Sequence, residues 1–338
     1  MNATSRLAVL LVLPLLCCAA QGQLFQLPTA SRAIFEPDGE ERYFAPTPGK
    51  TWESGTFGCV RSDGHQLHEG LDIKWTQRDR KGEPTDPVLA SANGTVAYVN
   101  RKSGLSNYGN YLVLRHRIEG LEICTLYAHL ASVREDLQSG VSVKAGETLG
   151  VMGRTTNTKT RIAAARAHVH FEIDLVASEH YAQWHEANLA GLRNDHGNWN
   201  GRNLLGIDPR ALLHQQRALG DKFSLLQFIQ SQTELCRVLV HKSEFAFAHR
   251  HAPLVRRNPA TEKEGIGAYE IVLNFNGIPC QIIPRTAAEA KSYPAKYHLL
   301  SVNDAEQKKN GCRKFLTQKS GKWDLTAEAL HHLDLLAN

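Results

Sequence analysis

Short apolar or alternating stretches, separated by turn formers, run through residues 51–174 of the chain. Several short strands at this spacing predict an antiparallel β domain. The predicted strands are Val96–Val99, Tyr111–His116, Glu122–Ala128, Val141–Gly146, Thr148–Met152 and His168–Asp174. Glu119-Gly120 reads as the turn between two of them, and Asn93-Gly94 is a hairpin signal before Val96. Because the last strand alternates polar and apolar residues, we expect it to be half-buried.

The regions around this domain have a different pattern. Residues 23–50 are rich in proline and glycine and form an extended lead-in. Within a domain of residues 51–219, residues 175–205 look like an insertion that is helical to about Leu192. Gly206 to Pro209 then lead into a helix over 210–219.

Residues 220–338 predict a smaller α+β unit of unknown role. Ala268–Phe275 and Ile278–Ile283 read as strands around a turn at Asn276-Gly277. Asp324–Leu336 has the spacing of an amphipathic helix with Asp324 as its N-cap. The fold class predicted for the chain is therefore mainly β, with a smaller α+β unit after it.

The first residues have the layout of a secretory signal peptide. A basic start ending at Arg6 precedes the apolar run Leu7–Leu16, which is too short to span a bilayer. Small residues follow, and cleavage after Ala20 or Gly22 defines a signal peptide of residues 1–22. A lipid anchor at Cys18 is the open alternative. Either reading predicts export to the periplasm, cell envelope or extracellular space.

Composition adds little to this picture. With 42% hydrophobic and 22% charged residues, the chain has the balance of a soluble globular protein. Loss of Arg6 with the signal peptide lowers the net charge from +5 by one, which is ordinary for this length but favours contact with anionic wall polymers. We predict no nucleic-acid partner and no transmembrane segment.

Five cysteines remain after the signal peptide, so at least one thiol is left over if disulfides form. None has the spacing of a cysteine zinc cluster. A bond among Cys236, Cys280 and Cys312 is the pairing we expect, and the sequence does not choose between them.

The candidate metal-binding residues are mostly histidines. His168 and His170 are two apart on a predicted strand, so both imidazoles share one face. Neutral imidazole and carboxylate are both zinc ligands. His68 and Asp72, with Gly70 between them to let the chain bend, therefore complete a three-ligand set with one imidazole of that pair. His129 follows another strand. The pair His249 and His251 lies among arginines and is interpreted as a solvated basic stretch.

Three motifs in this order resemble those of the lysostaphin/LytM-type zinc endopeptidases. They are His68-Glu-Gly-Leu-Asp72, Tyr127-Ala-His129-Leu130 and His168-Val-His170-Phe-Glu-Ile173. The resemblance runs from about Phe44 to Ile173. It implies an antiparallel β domain with its site in a groove bounded by loops.

The resemblance also implies roles for single residues. His68, Asp72 and His170 would bind one Zn²⁺ per chain, and His129 and His168 would be the two catalytic histidines that are not ligands. The implied activity is zinc-dependent hydrolysis of peptide bonds in peptidoglycan stem peptides or cross-links.

The loop Gly153–Ala167 departs from the family pattern, because it is long and basic and ends in alanine instead of proline. Substrate preference is therefore open. One alternative is a non-hydrolytic wall-binding regulator of another hydrolase, although such relatives usually lose ligands. Another is a zinc peptidase that acts on secreted proteins.

Overall fold

The computed structural model describes residues 24–338, so the predicted signal peptide and Cys18 lie outside the described residues. The described chain consists mainly of antiparallel β-sheets, which confirms the predicted fold class. The strands of its first part are β1 (Gly58–Arg61), β2 (Gln66–His68), β3 (Leu71–Lys74), β4 (Pro87–Leu89), β5 (Gly94–Asn100), β6 (Tyr111–Ile118), β7 (Leu121–Ala128), β8 (Ser132–Val133), β9 (Ser142–Val143), β10 (Thr148–Val151), β11 (His168–Val176) and β12 (Leu204–Ile207).

The largest sheet has seven strands, in the order β12-β11-β7-β6-β5-β9, with β3 also paired to β11. One edge of β11 faces β7 along most of its length. Its other edge is shared, since β3 pairs with the first half and β12 with the second. The first half of β11 therefore lies between β3 and β7, where three of the sequence motifs meet.

The two-residue turn between β6 and β7 has the predicted position. Glu119 and Gly120 have φ angles of 51° and 79°, and a type I′ hairpin turn requires positive values at both central residues. The predicted hairpin at Asn93-Gly94 is wrong. The strands on either side of it belong to different sheets, because β4 pairs with β10 whereas β5 pairs with β6 and β9.

The predicted half-burial of the last strand is also wrong, since all nine residues of β11 are buried. Val169, Phe171 and Ile173 lie in the main hydrophobic core, as the alternation predicts. The opposite face, with His168 and His170, is buried as well. The polar face is therefore an internal site, not a solvated surface.

Helices flank the sheets. They are α1 (Glu40–Tyr43), α2 (Tyr181–Asn188), α3 (Pro209–Leu219), α4 (Leu225–Gln230), α5 (Ala246–Arg250), α6 (Pro259–Glu264), α7 (Ala287–Ala290), α8 (Asp304–Lys309) and α9 (Ala327–Leu336). The predicted helix over 210–219 is confirmed as α3, because Asp208 caps its first N–H groups and Pro209 occupies the first turn. Across residues 24–338, no helix has both the length and the apolarity needed to cross a membrane.

Two predicted helix ends need correction. Helix α2 stops at Asn188, short of Leu192. Helix α9 begins at Ala327, with the Thr326 side chain accepting from the Ala329 N–H, whereas Asp324 belongs to a strand. Asp324 and Thr326 are both good capping residues, and strand pairing decides between them.

The last part of the chain has its own sheets. Its strands are β13 (Cys236–Val240), β14 (Ala268–Leu273), β15 (Pro279–Arg285), β16 (Tyr297–Val302), β17 (Leu316–Lys319) and β18 (Lys322–Leu325). Four of them form a sheet in the order β15-β14-β13-β16, and the other two form a hairpin. One hydrophobic cluster runs from Phe25 to Ala337. Glu119 also accepts hydrogen bonds from the N–H groups of Leu225 and Leu226 at the start of α4. The two parts therefore pack against each other.

The disulfide is not the predicted one. Cys312 bonds to Cys59 in β1, and Cys124, Cys236 and Cys280 are buried free thiols. The prediction was wrong because it paired cysteines within the last part of the chain, whereas the fold brings Cys312 to the hairpin that carries His68. A bond across 253 residues ties the two parts together.

The interpretation of His249 and His251 as one solvated pair is wrong for His251. His249 is exposed and paired with Glu244. His251 is buried, and its Nε2 lies 3.3 Å from the Val176 carbonyl oxygen. Burial lowers the pKa of His251 to about 4.

The burial of His251 predicts a pH-dependent stability. Between about pH 6.5 and pH 4, the unfolded chain binds a proton that the folded chain does not, so the unfolding free energy falls with falling pH. We expect a contribution of about 3 kcal/mol from this histidine over that range. Urea unfolding of His251→Gln should therefore depend less steeply on pH than the unchanged protein does.

His249→Gln is the matched control, because it removes an exposed histidine two residues away. Its unfolding free energy should follow that of the unchanged protein at every pH. Equal pH dependence of all three proteins would contradict the account of His251.

Candidate metal centre

Strand pairing places the motif residues together. His170 on β11 is directly opposite Asp72 on β3 and Ala128 at the end of β7. His129 follows Ala128 at once, and His68 ends β2, four residues before Asp72. Five residues from three distant motifs therefore meet at one end of the sheet, and all five are the predicted site residues.

The three predicted ligands lie within bonding range of a common point. His68 Nε2 is 3.1 Å from Asp72 Oδ1 and 3.2 Å from His170 Nδ1, and His170 Nδ1 is 3.0 Å from Asp72 Oδ1. All three side chains are buried. With bonds of about 2.1 Å, two donors of a tetrahedral zinc ion are about 3.4 Å apart. The observed triangle is close to that size.

Hydrogen bonds on the far sides of the two imidazoles fix where their protons sit. His68 Nδ1 donates to the Thr56 carbonyl oxygen at 2.7 Å. His170 Nε2 donates to Glu172 Oε1, also at 2.7 Å. A neutral imidazole has one N–H and one lone pair. In the neutral rings, the nitrogens that face Asp72 therefore carry the lone pairs that can bind a metal.

The converging donor atoms are stable together only when positive charge lies near them. Two imidazole lone pairs and a carboxylate oxygen repel one another in a buried site unless a cation lies among them. Burial alone would raise the pKa of Asp72, but the surrounding histidines hold it well below its ordinary value. Burial likewise opposes charge on His170, yet the hydrogen bonds with Asp72 and Glu172 outweigh it and raise the pKa of His170 to about 10, so that without a metal a proton on Nδ1 supplies the positive charge. This donor set fits a divalent cation such as zinc.

Gly70 is required for a different reason from the predicted one. Its φ angle is not in the left-handed region, so it does not supply an unusual bend. A Cβ atom at Gly70 would instead lie 2.3 Å from the Phe171 carbonyl oxygen. The glycine lets the segment between His68 and Asp72 pass directly against β11.

His129 and His168 stand beside the donor triangle. Their ring centres are 4.8 Å apart. His129 Nδ1 donates to the Thr155 carbonyl oxygen at 2.8 Å, and His168 Nδ1 donates to the Arg166 carbonyl oxygen at 2.7 Å. In both rings Nε2 is therefore the atom that can exchange a proton with a bound molecule.

His129 also has an uncommon backbone conformation. Its φ of 61° lies in the left-handed region, which residues other than glycine rarely adopt and which often marks functional positions. Burial, together with the charges of His168 and His170, holds the pKa of His129 well below its ordinary value. His129 is therefore neutral near pH 7.

Two arginines near Asp72 were not foreseen from the sequence. Arg61 Nη2 donates to Asp72 Oδ2 at 2.6 Å and lies 2.9 Å from His68 Nε2. Arg166 Nη2 lies 3.3 Å from Asp72 Oδ2. Both contact the outer oxygen of the carboxylate and so leave Oδ1 directed at the histidines. Nothing in the local pattern separates these arginines from surface ones.

Glu172 is a further residue of the site, and the sequence did carry a signal for it. It lies two positions after His170 on the same strand face. Besides the His170 N–H, it accepts a 2.7 Å hydrogen bond from the Tyr108 hydroxyl. Burial opposes its ionisation, but the bond from His170 outweighs burial and lowers the pKa of Glu172. Glu172 therefore holds the His170 ring in its orientation.

The long basic loop before β11 is fastened to the rest of the protein. Arg154 forms an ion pair with Glu83, and Arg166 donates to the Pro46 carbonyl oxygen. Lys159 and Arg161 are exposed. Half of the loop's basic residues thus anchor it beside the site.

Residues 66–182 match the model of peptidase family M23, which confirms the predicted resemblance to lysostaphin/LytM-type peptidases for this part of the chain.

Over 107 residues the chain is 35% identical to the DD-carboxypeptidase/endopeptidase Mpg of Neisseria meningitidis, covering 32% of this chain and 20% of Mpg. Over 130 residues it is 34% identical to the murein hydrolase activator NlpD of Escherichia coli, covering 38% of this chain and 27% of NlpD. The match thus spans between a fifth and about a quarter of these relatives' own length. The catalytic domain of lysostaphin from Staphylococcus simulans matches with 19% identity and a TM-score of 0.29, over 51% of this chain and 88% of that domain.

The contact between Glu172 and His170 leads to a prediction about metal affinity. Glu172→Gln keeps the size of the side chain but removes the charge that supports His170. Such changes lower zinc affinity about 10- to 100-fold, and we expect a loss in that range by competition with a chromogenic chelator.

Glu122→Gln is the matched control, because Glu122 is also buried but lies near the other end of β7. Its zinc affinity should equal that of the unchanged protein. An unchanged affinity in Glu172→Gln would show that Glu172 does not support the donor set.

Proposed function

We propose that this chain is an exported zinc metalloendopeptidase that hydrolyses peptide bonds in peptidoglycan stem peptides or cross-links. The observation that carries the proposal is the convergence of His68 Nε2, Asp72 Oδ1 and His170 Nδ1, with two further imidazoles beside them. A catalytic zinc site takes three protein ligands and keeps a position for water. The similarity to Mpg, which is named a DD-carboxypeptidase/endopeptidase, and to NlpD, which is named a murein hydrolase activator, supports the substrate class.

His68, Asp72 and His170 would hold the metal. When bound, zinc lowers the pKa of a water molecule to near 7 and polarises a carbonyl group. The two remaining histidines would divide the proton transfers of peptide hydrolysis.

Neutral His129 would accept the proton of the attacking water at Nε2, since its Nδ1 is committed to the Thr155 carbonyl oxygen. His168 Nε2 lies 3.3 Å from Asp72 Oδ1, on the other side of the donor triangle's carboxylate. His168 would stabilise the negative charge that develops on the substrate oxygen, or donate to the leaving amine.

A second candidate function is supported by the similarity to NlpD, which is named as an activator of murein hydrolases. In that case the chain would bind wall material and stimulate a separate enzyme without cutting a bond itself. The complete donor set favours the enzyme.

The enzyme proposal predicts metal-dependent release of muropeptides from purified sacculi by residues 23–338. New free amines should appear, vanish with a chelator and return with added zinc. A protein that contains one zinc but releases nothing, and that increases release by an added amidase, would support the activator instead. Cleavage of glycine-rich proteins without cleavage of sacculi would redirect the proposal to secreted protein substrates.

The ligand and proton-transfer roles predict different losses. His170→Ala should lose stoichiometric zinc, because it removes one of three donors. His129→Ala should keep its zinc and lose at least about a hundredfold in kcat, the usual contribution of a positioned acid or base. Metal content by mass spectrometry and release assays check both. Equal zinc loss in the two variants would mean that the ligands are wrongly assigned.

A further inference from the structure

A cavity of about 910 Å³ adjoins the metal centre. The five site residues do not line it, but Glu69, which follows His68, and Tyr108, which donates to Glu172, do. The rest of its lining comes partly from residues 65–67, 105–111 and 157, and mostly from the insertion and the last part of the chain. Most of the lining therefore lies outside residues 66–182 and so beyond the family match.

Two guanidinium groups in these walls have no strong partner. Arg313 forms no hydrogen bond among the described residues, and its Nε is 3.5 Å from a carboxylate oxygen of exposed Glu328. Arg202 is exposed at the cavity and forms no ion pair with the described residues. By contrast, Arg193 in the same wall is paired with Asp195 at 2.7 Å. The guanidinium of Arg313, which is about a quarter exposed, therefore has N–H donors that an anion in the cavity could satisfy.

The fold holds Arg313 in place. Its guanidinium carbon is 4.6 Å from the ring centre of Phe315, in a cation–π contact. The preceding residue, Cys312, is bonded to Cys59 in β1, two residues before Arg61. Arg61 in turn contacts Asp72. The disulfide therefore fastens Arg313 to the same hairpin that carries part of the metal centre.

Charges of both signs act on Arg313. Burial lowers the pKa of Arg313, and Arg202 adds to that effect, whereas Glu328 and Glu69 oppose it. Both arginines line the same cavity, so an anion placed between them would stabilise both charges.

We propose that Arg313 and Arg202 form a subsite for a carboxylate group of the peptide substrate, so that the last part of the chain selects substrates. The inference rests on the proposed function for its substrate class. A carboxylate matches the planar fork of arginine with two parallel hydrogen bonds, and stem peptides carry carboxylates at side chains and at their C-terminus. The substrate would then extend from the metal centre past Glu69 into the cavity.

The test is equilibrium binding, measured by calorimetry with the His129→Ala variant of residues 23–338 so that no turnover intervenes. One probe is a synthetic stem pentapeptide, L-Ala-γ-D-Glu-L-Lys-D-Ala-D-Ala, with its carboxylates free. The other is the same peptide with every carboxylate converted to an amide. We expect Arg313→Gln and Arg202→Gln each to weaken binding of the free peptide at least tenfold and to leave binding of the amide peptide unchanged.

Lys314→Gln is the control, because it removes the same charge from the adjacent exposed residue, which does not line the cavity. It should bind both peptides as the unchanged protein does. Should Arg313→Gln fold poorly in thermal melts, Arg202→Gln decides alone.

Three results would overturn the subsite. The first is equal affinity of the His129→Ala protein for the two peptides, and the second is an equal effect of Arg313→Gln and Lys314→Gln. The third is failure of the free peptide to bind. If the free peptide binds as expected but the zinc-loaded unchanged protein cuts no sacculus, the subsite stands and the proposed hydrolysis fails.

Discussion

The structure depends on one electrostatic constraint: three electron-rich atoms, two imidazole nitrogens and a carboxylate oxygen, are held about 3 Å apart in a buried site. Such an arrangement is unfavourable unless positive charge lies among the donors. Hydrogen bonds on the outer sides of the three side chains maintain this arrangement. Thr56 and Glu172 accept hydrogen bonds from the N–H groups on the far sides of His68 and His170, and arginines donate to the outer oxygen of Asp72.

The antiparallel sheet produces this convergence from residues far apart in the chain. Pairing of β11 with β3 sets His170 opposite Asp72, and pairing with β7 brings His129 to the same end. A shift of one residue in either pairing would turn His168 and His170 into the hydrophobic core. Because Val169, Phe171 and Ile173 pack in that core, their burial fixes the strand register on which the site depends.

Much of this could be predicted from the sequence, because strand alternation and ligand spacing are local signals. The strands around His129 and His170, the turn at Glu119-Gly120 and the helix α3 all carry such signals. Contacts between residues far apart in the chain leave no such local signal. The Cys59–Cys312 bond, the approach of Arg61 to Asp72 and the burial of His251 against Val176 follow from how distant elements pack. The close approach of Gly70 to Phe171 belongs to the same class.

The central claim is that His68, Asp72 and His170 form a zinc site. Its most direct test is a crystal structure of residues 23–338 with zinc, using anomalous scattering at the zinc edge. We predict one peak bonded to His68 Nε2, Asp72 Oδ1 and His170 Nδ1 at about 2.0–2.2 Å. The absence of a peak there, with the Arg61 guanidinium still against His68 Nε2, would contradict the account.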